Sequence, residues 1–286
     1  MKKIMLALMA LALTIAAQGQ VEVIDTAQFV VVYDYECRTQ DDEGLNITDK
    51  MQVVVQVGRT VTKSMPRSAY MKTNETIEEE DLIMAEHQET LMHMPTVWTG
   101  LPNGQTTVRD RIFPHEFEGI EPTPDIAWTL TDDTVTINGY FCQQATATFR
   151  GVTWTVCYTE EIPSSAGPWR LRGLPGLIIK AENEAHTFCL AELRQNHTSI
   201  TAPEKSPNVQ RMTYAKLLKH RSDVFGNRQY AKNPLFHVPN LNGGTLSLGG
   251  SIHHMTVINL GSQQFAYADG FPLLTKAHVY QPLEIE

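Results

Sequence analysis

The chain has 286 residues, 42% hydrophobic and 19% charged, with a formal net charge of −9. That length supports one large domain or two small ones, with a core that holds without metal ions or disulfide staples. The acidic balance argues against nucleic acid and anionic lipid as partners, since both demand a basic face.

The N-terminal stretch is expected to be a signal peptide. Lys2 and Lys3 precede an apolar run from Ile4 to Ala17, and Ala17 and Gly19 put small residues at −3 and −1 of a cut before Gln20. The run falls short of the roughly 18 to 20 residues a membrane span requires. No cysteine follows it directly, the earliest being Cys37, which argues against a lipid anchor. Residues 1–19 are therefore expected to be removed, leaving 20–286 as a single β-rich domain. Cleavage takes Lys2 and Lys3 with it and brings the charge to −11. The mature protein is expected to be exported, periplasmic or outer-envelope associated, soluble and without a membrane span.

Strand patterns dominate the mature chain. In chain order they fall at Gln28–Arg38, Met51–Val57, Tyr140–Phe149, Val152–Thr159, Leu177–Ala181, His186–Leu193, Thr245–Leu248, Met255–Asn259 and His278–Leu283. Over Val152–Thr159, Val152, Trp154, Val156 and Tyr158 take one face, and Thr153, Thr155, Cys157 and Thr159 the other. Arg150 and Gly151 make a two-residue hairpin connection that pairs Phe149 with Val152. Two helices interrupt the strands. Thr76 and Glu79 read as a capping box opening a helix to about Leu91. Tyr214, Leu217, Leu218 and Arg221 recur at helical spacing over Thr213–Phe225, with Gly226 as a stop. Residues 59–104 are the least patterned and read as a mobile or lid-like segment.

The cysteines Cys37, Cys142, Cys157 and Cys189 are even in number, which in an oxidising compartment permits two disulfides in three connectivities. The hairpin register puts Cys142 and Cys157 on one face, two places apart, so a small slip would join them. None of the four forms a CxxC pair, which speaks against a zinc ribbon or a thioredoxin-type site. Soft ligands for copper or zinc could come from His87, Met92, His93 and Met94, although Met and His also fill apolar stripes. His253 and His254 are adjacent strand residues and point to opposite faces. Ser164 and Ser165 lie in a loop without a GxSxG elbow. Glu160 and Glu161 face apart at a strand end, and Asp132 and Asp133 read as turn chemistry. No cofactor motif is present.

Residues 167–178, GPWRLRGLPGLI, raise the question of a ligand-cradling loop. There is no GxxxxGK[ST], and no GxGxxG precedes a helix. Leu174, Pro175, Gly176 and Leu177 instead fit a type II β-turn, with proline at i+1 and glycine at the positive-φ position i+2. Gly173 eases entry, and Leu177 and Ile178 begin a buried strand. The competing reading places Trp169 and Leu174 exposed as the lip of a binding cavity.

Several spaced motifs here carry a resemblance. Residues 137–142 (INGYFC), 148–151 (TFRG), 158–163 (YTEEIP), 167–169 (GPW) and 173–178 (GLPGLI), preceded by 125–130 (DIAWTL) with Asp133 and Thr134, resemble the GLPGLI family of exported Bacteroidota proteins. The likeness is close over roughly residues 112–195. The family has no established biochemical role, so the resemblance implies export and a β-rich domain but supplies no catalytic residues. It also makes Asp25-Thr26-Ala27 and Asp133-Thr134-Val135 similar to the Asp-Thr-aliphatic O-glycosylation signal of such bacteria.

Strand runs broken by occasional helices predict a mainly-β α+β fold, a curved antiparallel sheet or partial barrel with two or three packed helices. An apolar concave face of that kind can hold a hydrophobic ligand, as in periplasmic lipoprotein carriers, to which the architecture is similar. The function expected from sequence is non-catalytic, a binding or accessory role toward a hydrophobic ligand, peptide or envelope protein. The alternatives are a Met/His metalloprotein and a hydrolase assembled from distant segments.

Overall fold

The computed structural model describes residues 22–41, 43–112, 115–226, 255–260, 263–268, 271–273 and 278–285. The expected signal peptide, the Thr245–Leu248 strand and the His253–His254 pair lie outside the described residues.

β1 (Val23–Thr26) leaves the main sheet to pair with β13 (Ser199–Thr201). The main sheet has twelve strands. At its middle, β2 (Phe29–Gln40) pairs antiparallel with β3 (Asn46–Val57) along its whole length. One arm continues through β4 (Thr62–Pro66), β5 (Thr96–Thr99), β6 (Gln105–Ile112) and β7 (His115–Pro122). It ends with β14 (Val209–Thr213), the one strand of this sheet that pairs in parallel. The other arm runs from β2 through β12 (His186–Arg194), β11 (Leu177–Glu182), β10 (Val152–Thr159) and β9 (Tyr140–Phe149) to the edge strand β8 (Thr129–Ile137). A separate three-stranded sheet holds β15 (Met255–Leu260), β16 (Gln263–Ala268) and β17 (Phe271–Leu273). The mainly-β α+β expectation holds.

The sequence of β2 shows how the layers are set. Val30, Val31, Val32 and Tyr33 are all buried, because this half of the strand is covered on both faces. Val31 and Tyr33 enter the main core, while Val30 and Val32 enter a smaller one with Ala27, Val54, Met65, Tyr70, Trp98 and Ile200. From Asp34 onward the strand alternates: Tyr35, Cys37 and Thr39 are buried, and Asp34, Arg38 and Gln40 are exposed. One face alone is covered there, and the period of two reappears.

Among the described residues, hydrogen bonding does not close the sheet into a barrel, and β14 and β8 are its two edges. The arms nevertheless meet. Glu121 of β7 makes an ion pair with Arg150 in the β9–β10 turn. These lie eight strand positions apart, about 38 Å in a flat sheet at ~4.8 Å per strand. The sheet is therefore strongly bent, with the main core on its concave side. Three pieces of chain cover that side: the loop between β10 and β11, an α-helix, and the segment 278–285.

The hairpin over Arg150 and Gly151 forms as expected, with φ of 46° and 79° and Phe149 opposite Val152. Two consecutive positive φ values make it a type I′ turn. Asn138 and Gly139, at 50° and 86°, form a second such turn between Ile137 and Tyr140. Asn-Gly is itself a hairpin signal in the sequence.

Residues 59–104 are not a lid. They supply β4 and β5 in the body of the sheet, together with α1 (Arg67–Asn74) and α2 (Glu79–Met92). The low apolar content of α1 hides it from a periodicity reading. α2 begins at Glu79, with Glu78 as a cap lacking a side-chain bond, so the expected capping box at Thr76 does not form. α3 (Tyr214–Phe225) matches its expected span and buries Tyr214, Leu217, Leu218, Arg221 and Phe225. The strand expected at His278–Leu283 is instead an extended strap, with one bridge between His278 and Asp41.

Candidate functional site on the concave face

The GLPGLI segment proves to be a bend of another kind. Gly176 does not adopt positive φ; Gly173 does, at 100°. Gly176 is required because a Cβ there would lie 2.0 Å from the Thr159 carbonyl oxygen. Leu177 N–H donates to Ile162 O at 3.1 Å, not back across a type II turn. The hexapeptide therefore locks the loop to the end of β10 by close backbone approach.

That loop lies over the concave face. Trp169 N–H reaches Ser64 Oγ of β4 at 3.1 Å, and Gly173 N–H reaches Ser165 O at 2.9 Å. Trp169 and Leu174, each 3% exposed, belong to the main core and do not form an exposed lip. Ser164 Oγ accepts from Ala166 N–H, Glu161 from Phe141 N–H, and Thr131 Oγ1 from Asp133 N–H. Of the polar residues weighed for hydrolysis, Ser164 and Glu161 thus accept from backbone N–H groups.

The wall beneath the loop is aromatic. Tyr35 stacks on Phe188 at 4.4 Å between centroids; Trp154 lies 6.1 Å from His186 and 6.1 Å from Trp169, and Phe149 lies 6.0 Å from Trp169. Burial, with help from Arg38 and Arg221, lowers the pKa of His186 to about 4, so the ring is neutral at pH 7. Its Nε2 faces the Pro282 carbonyl at 3.2 Å, which can only accept. Nε2 therefore carries the proton, and Nδ1 accepts from Tyr35 OH at 2.8 Å.

At one end of this wall sits Arg170, 3% exposed. Its Nη1 donates to both carboxylate oxygens of Glu284, at 3.0 and 2.9 Å, and its Nη2 to Glu121. Arg150 Nε lies 3.4 Å from Glu284 and its Nη2 pairs with Glu121. Tyr214 OH donates to Glu284, and both guanidiniums lie over its ring, at 4.3 and 5.5 Å. Burial opposes the charge of Arg170, yet Glu284, Tyr214 and Glu121 more than offset it and raise its pKa. Burial and then the Glu284 charge push the Tyr214 phenol well above its ordinary value, so it remains a donor. A planar fork meeting a carboxylate inside a dry wall is the arrangement guanidinium favours.

Glu284 belongs to the strap, which crosses the concave face through single contacts. His278 Nδ1 lies 2.6 Å from Asp49, and Val279 N–H donates to Gln40 O at 2.8 Å. Tyr280 OH accepts from Arg221 Nε at 2.7 Å, and Ile285 N–H donates to Arg150 O at 2.8 Å. Leu283 is 5% exposed in the main core, so the strap inserts an aliphatic side chain and the neighbouring carboxylate together. Among the described residues, four donors of this region make no hydrogen bond: Trp154 Nε1, Trp169 Nε1, Arg150 Nε and Arg170 Nε.

The metal candidates sit in the second half of α2 and just beyond it. Met92 and Met94 are buried in the main core. His93 stacks on Phe225 at 3.8 Å, and burial followed by the Arg221 charge lowers its pKa to about 3. Nothing is described of the His87 side chain. No group of three or more His, Cys, Asp or Glu able to hold a metal ion occurs among the described residues. The four cysteines are free thiols. Cys157 faces Gln144 and Lys180, Cys189 also faces Lys180, and Cys142 faces Val135, so the slip that would join Cys142 to Cys157 does not occur. Cys37 is on β2, where burial and then Asp49 raise its pKa to about 12. Sequence reading missed Arg150, Arg170, Tyr214, Glu121 and Glu284 as a group. The available signal was Arg170, a charge set inside the apolar run around Trp169.

The fold and site together define a bent-sheet protein whose concave face seats the carboxylate of its own Glu284. No family model and no curated protein matches the chain. Solved structures of PNGF-II in P21 and C2 space groups are similar at TM-scores of 0.43 and 0.41, with 14% and 13% identity over 68% of this chain. The match covers 32% of those chains, so this chain spans about a third of their length. Among the described residues, no helix is long and apolar enough to cross a membrane.

Proposed function

We propose that this is an exported, non-catalytic binding protein of the GLPGLI type, whose concave face takes a hydrophobic ligand carrying a carboxylate. The observation that supports it most is the seating of Leu283 and Glu284. An aliphatic group enters the core while the adjacent carboxylate meets Arg170, Arg150 and Tyr214. The strap is thus a ligand analogue supplied by the chain itself. The unpartnered indole N–H groups of Trp154 and Trp169 favour the same reading, since a buried donor without an acceptor costs about 1–3 kcal/mol. Oxygen atoms of a ligand would satisfy them.

Native mass spectrometry of the full chain with decanoate and with decanol tests the proposal. One decanoate per chain, lost in Arg170→Met, and no decanol adduct are expected. A clean apo mass in the presence of decanoate would overturn it.

A further inference from the structure

The edge strand β8 lies away from the concave site and has its own logic. β8 closes the sheet on one side, and Thr129, Leu130, Asp132, Asp133, Thr134, Val135 and Thr136 are exposed. The hairpin-closing pair Ile137–Tyr140 is the hydrogen-bonded kind in a two-residue turn, so by alternation Thr136 and Thr134 turn their N–H and C=O groups outward. Phe141 N–H agrees: it donates to Glu161 and not to Thr136. Side chains flank this open edge. Phe141 and Ala145 share a face of β9, and Leu130 lies opposite Ala145. Leu130 and Phe141 are 58% and 57% exposed, and Val135 on the opposite face is 39% exposed. An irregularity between Leu130 and Thr134 carries Asp132 and Asp133, and exposed Glu160 and Glu161 follow β10, one strand beyond β9.

We infer that β8 is a strand-addition site for an extended, cationic peptide segment of a partner protein. Main-chain groups of Thr134 and Thr136 would supply the ladder; Leu130 and Phe141 would take an apolar side chain on one face and Val135 one on the other. Charge selects the occupant. Antiparallel self-pairing of two β8 strands about their central residue would set Asp133 against its own copy with Asp132 one position away on each strand, and like charges directly opposite are destabilising. Lysine or arginine on the incoming strand removes that conflict.

The test uses the full chain and a capped nonapeptide alternating lysine with valine and threonine, followed by fluorescence anisotropy. A second peptide carries N-methyl groups on alternate residues and cannot complete the ladder. Binding to the first peptide is expected to weaken at least tenfold on N-methylation, and equally in Thr134→Pro, which deletes an outward donor. Asp132→Asn with Asp133→Asn should weaken it severalfold and flatten its salt dependence. Absence of binding, or equal binding of both peptides, overturns the inference. So does a protein dimer that dissociates in Thr134→Pro, which would make a second copy the occupant.

Discussion

The Arg170 end of the concave face and the β8 edge solve opposite problems. At Arg170, two guanidiniums, two carboxylates and a phenol are withdrawn from water and close on one another, so the chain fills its own binding wall. At β8, main-chain groups and three apolar side chains stay in water, shielded only by an irregularity and two aspartates. Buried polar groups are costly to leave alone and so are matched internally, whereas an exposed edge can wait for a partner with little penalty. On the proposed reading, the same chain carries one site that must be vacated and one that stands open.

The largest break in that contrast should come from Glu284→Ala. It leaves Arg170 buried with half its charge partners, and a loss of about 3–5 kcal/mol in urea unfolding is expected. Glu284→Gln should recover part of it.

Titration separates the buried interior from the β8 edge next. Glu89 is buried, accepts from Ser68 N–H and Oγ, and has its pKa raised to about 7, chiefly by burial. The folded state holds that proton more tightly, so its contribution is full below pH 4.5 and lost as pH rises to 7. His186, lowered to about 4 by burial first, works the other way: its contribution is full above pH 6.5 and lost as pH falls toward 4. Each ramp is worth about 3 kcal/mol, and in part they cancel. Glu89→Gln should therefore make the acid-side loss of stability steeper, whereas Thr134→Pro should leave the pH profile unchanged.

Gly176→Ala comes third, at about 1–3 kcal/mol, because the new methyl would strike the Thr159 carbonyl and force a backbone shift. The smallest effect belongs to the edge. Thr134→Pro removes an N–H that faces water and should move stability by no more than about 0.5 kcal/mol.

Much of the fold is legible in the sequence. Val152–Thr159 shows a clean period of two, and Arg150-Gly151 is short and closes on a glycine that tolerates positive φ, so the hairpin register can be read directly. α3 is legible because one apolar stripe meets one surface. β4 and β5 are not, since both are short and sit in a sheet covered on two sides, where alternation disappears. The GLPGLI bend is legible in its place but not in its cause: a type II turn and a close backbone contact both demand glycine, and only the neighbouring chain distinguishes them. The Arg170 group is illegible for a simpler reason. Its members lie at positions 121, 150, 170, 214 and 284, and no local pattern announces a contact across so much chain.

If the strap occupies the ligand's place, removing its carboxylate must help an outside carboxylate to bind, because the competent state no longer has to be freed first. Decanoate titrated into the wild-type chain and into Glu284→Gln, followed by calorimetry, measures this directly. An affinity at least tenfold higher in the variant is the predicted result; equal affinity in the two would contradict self-occupancy.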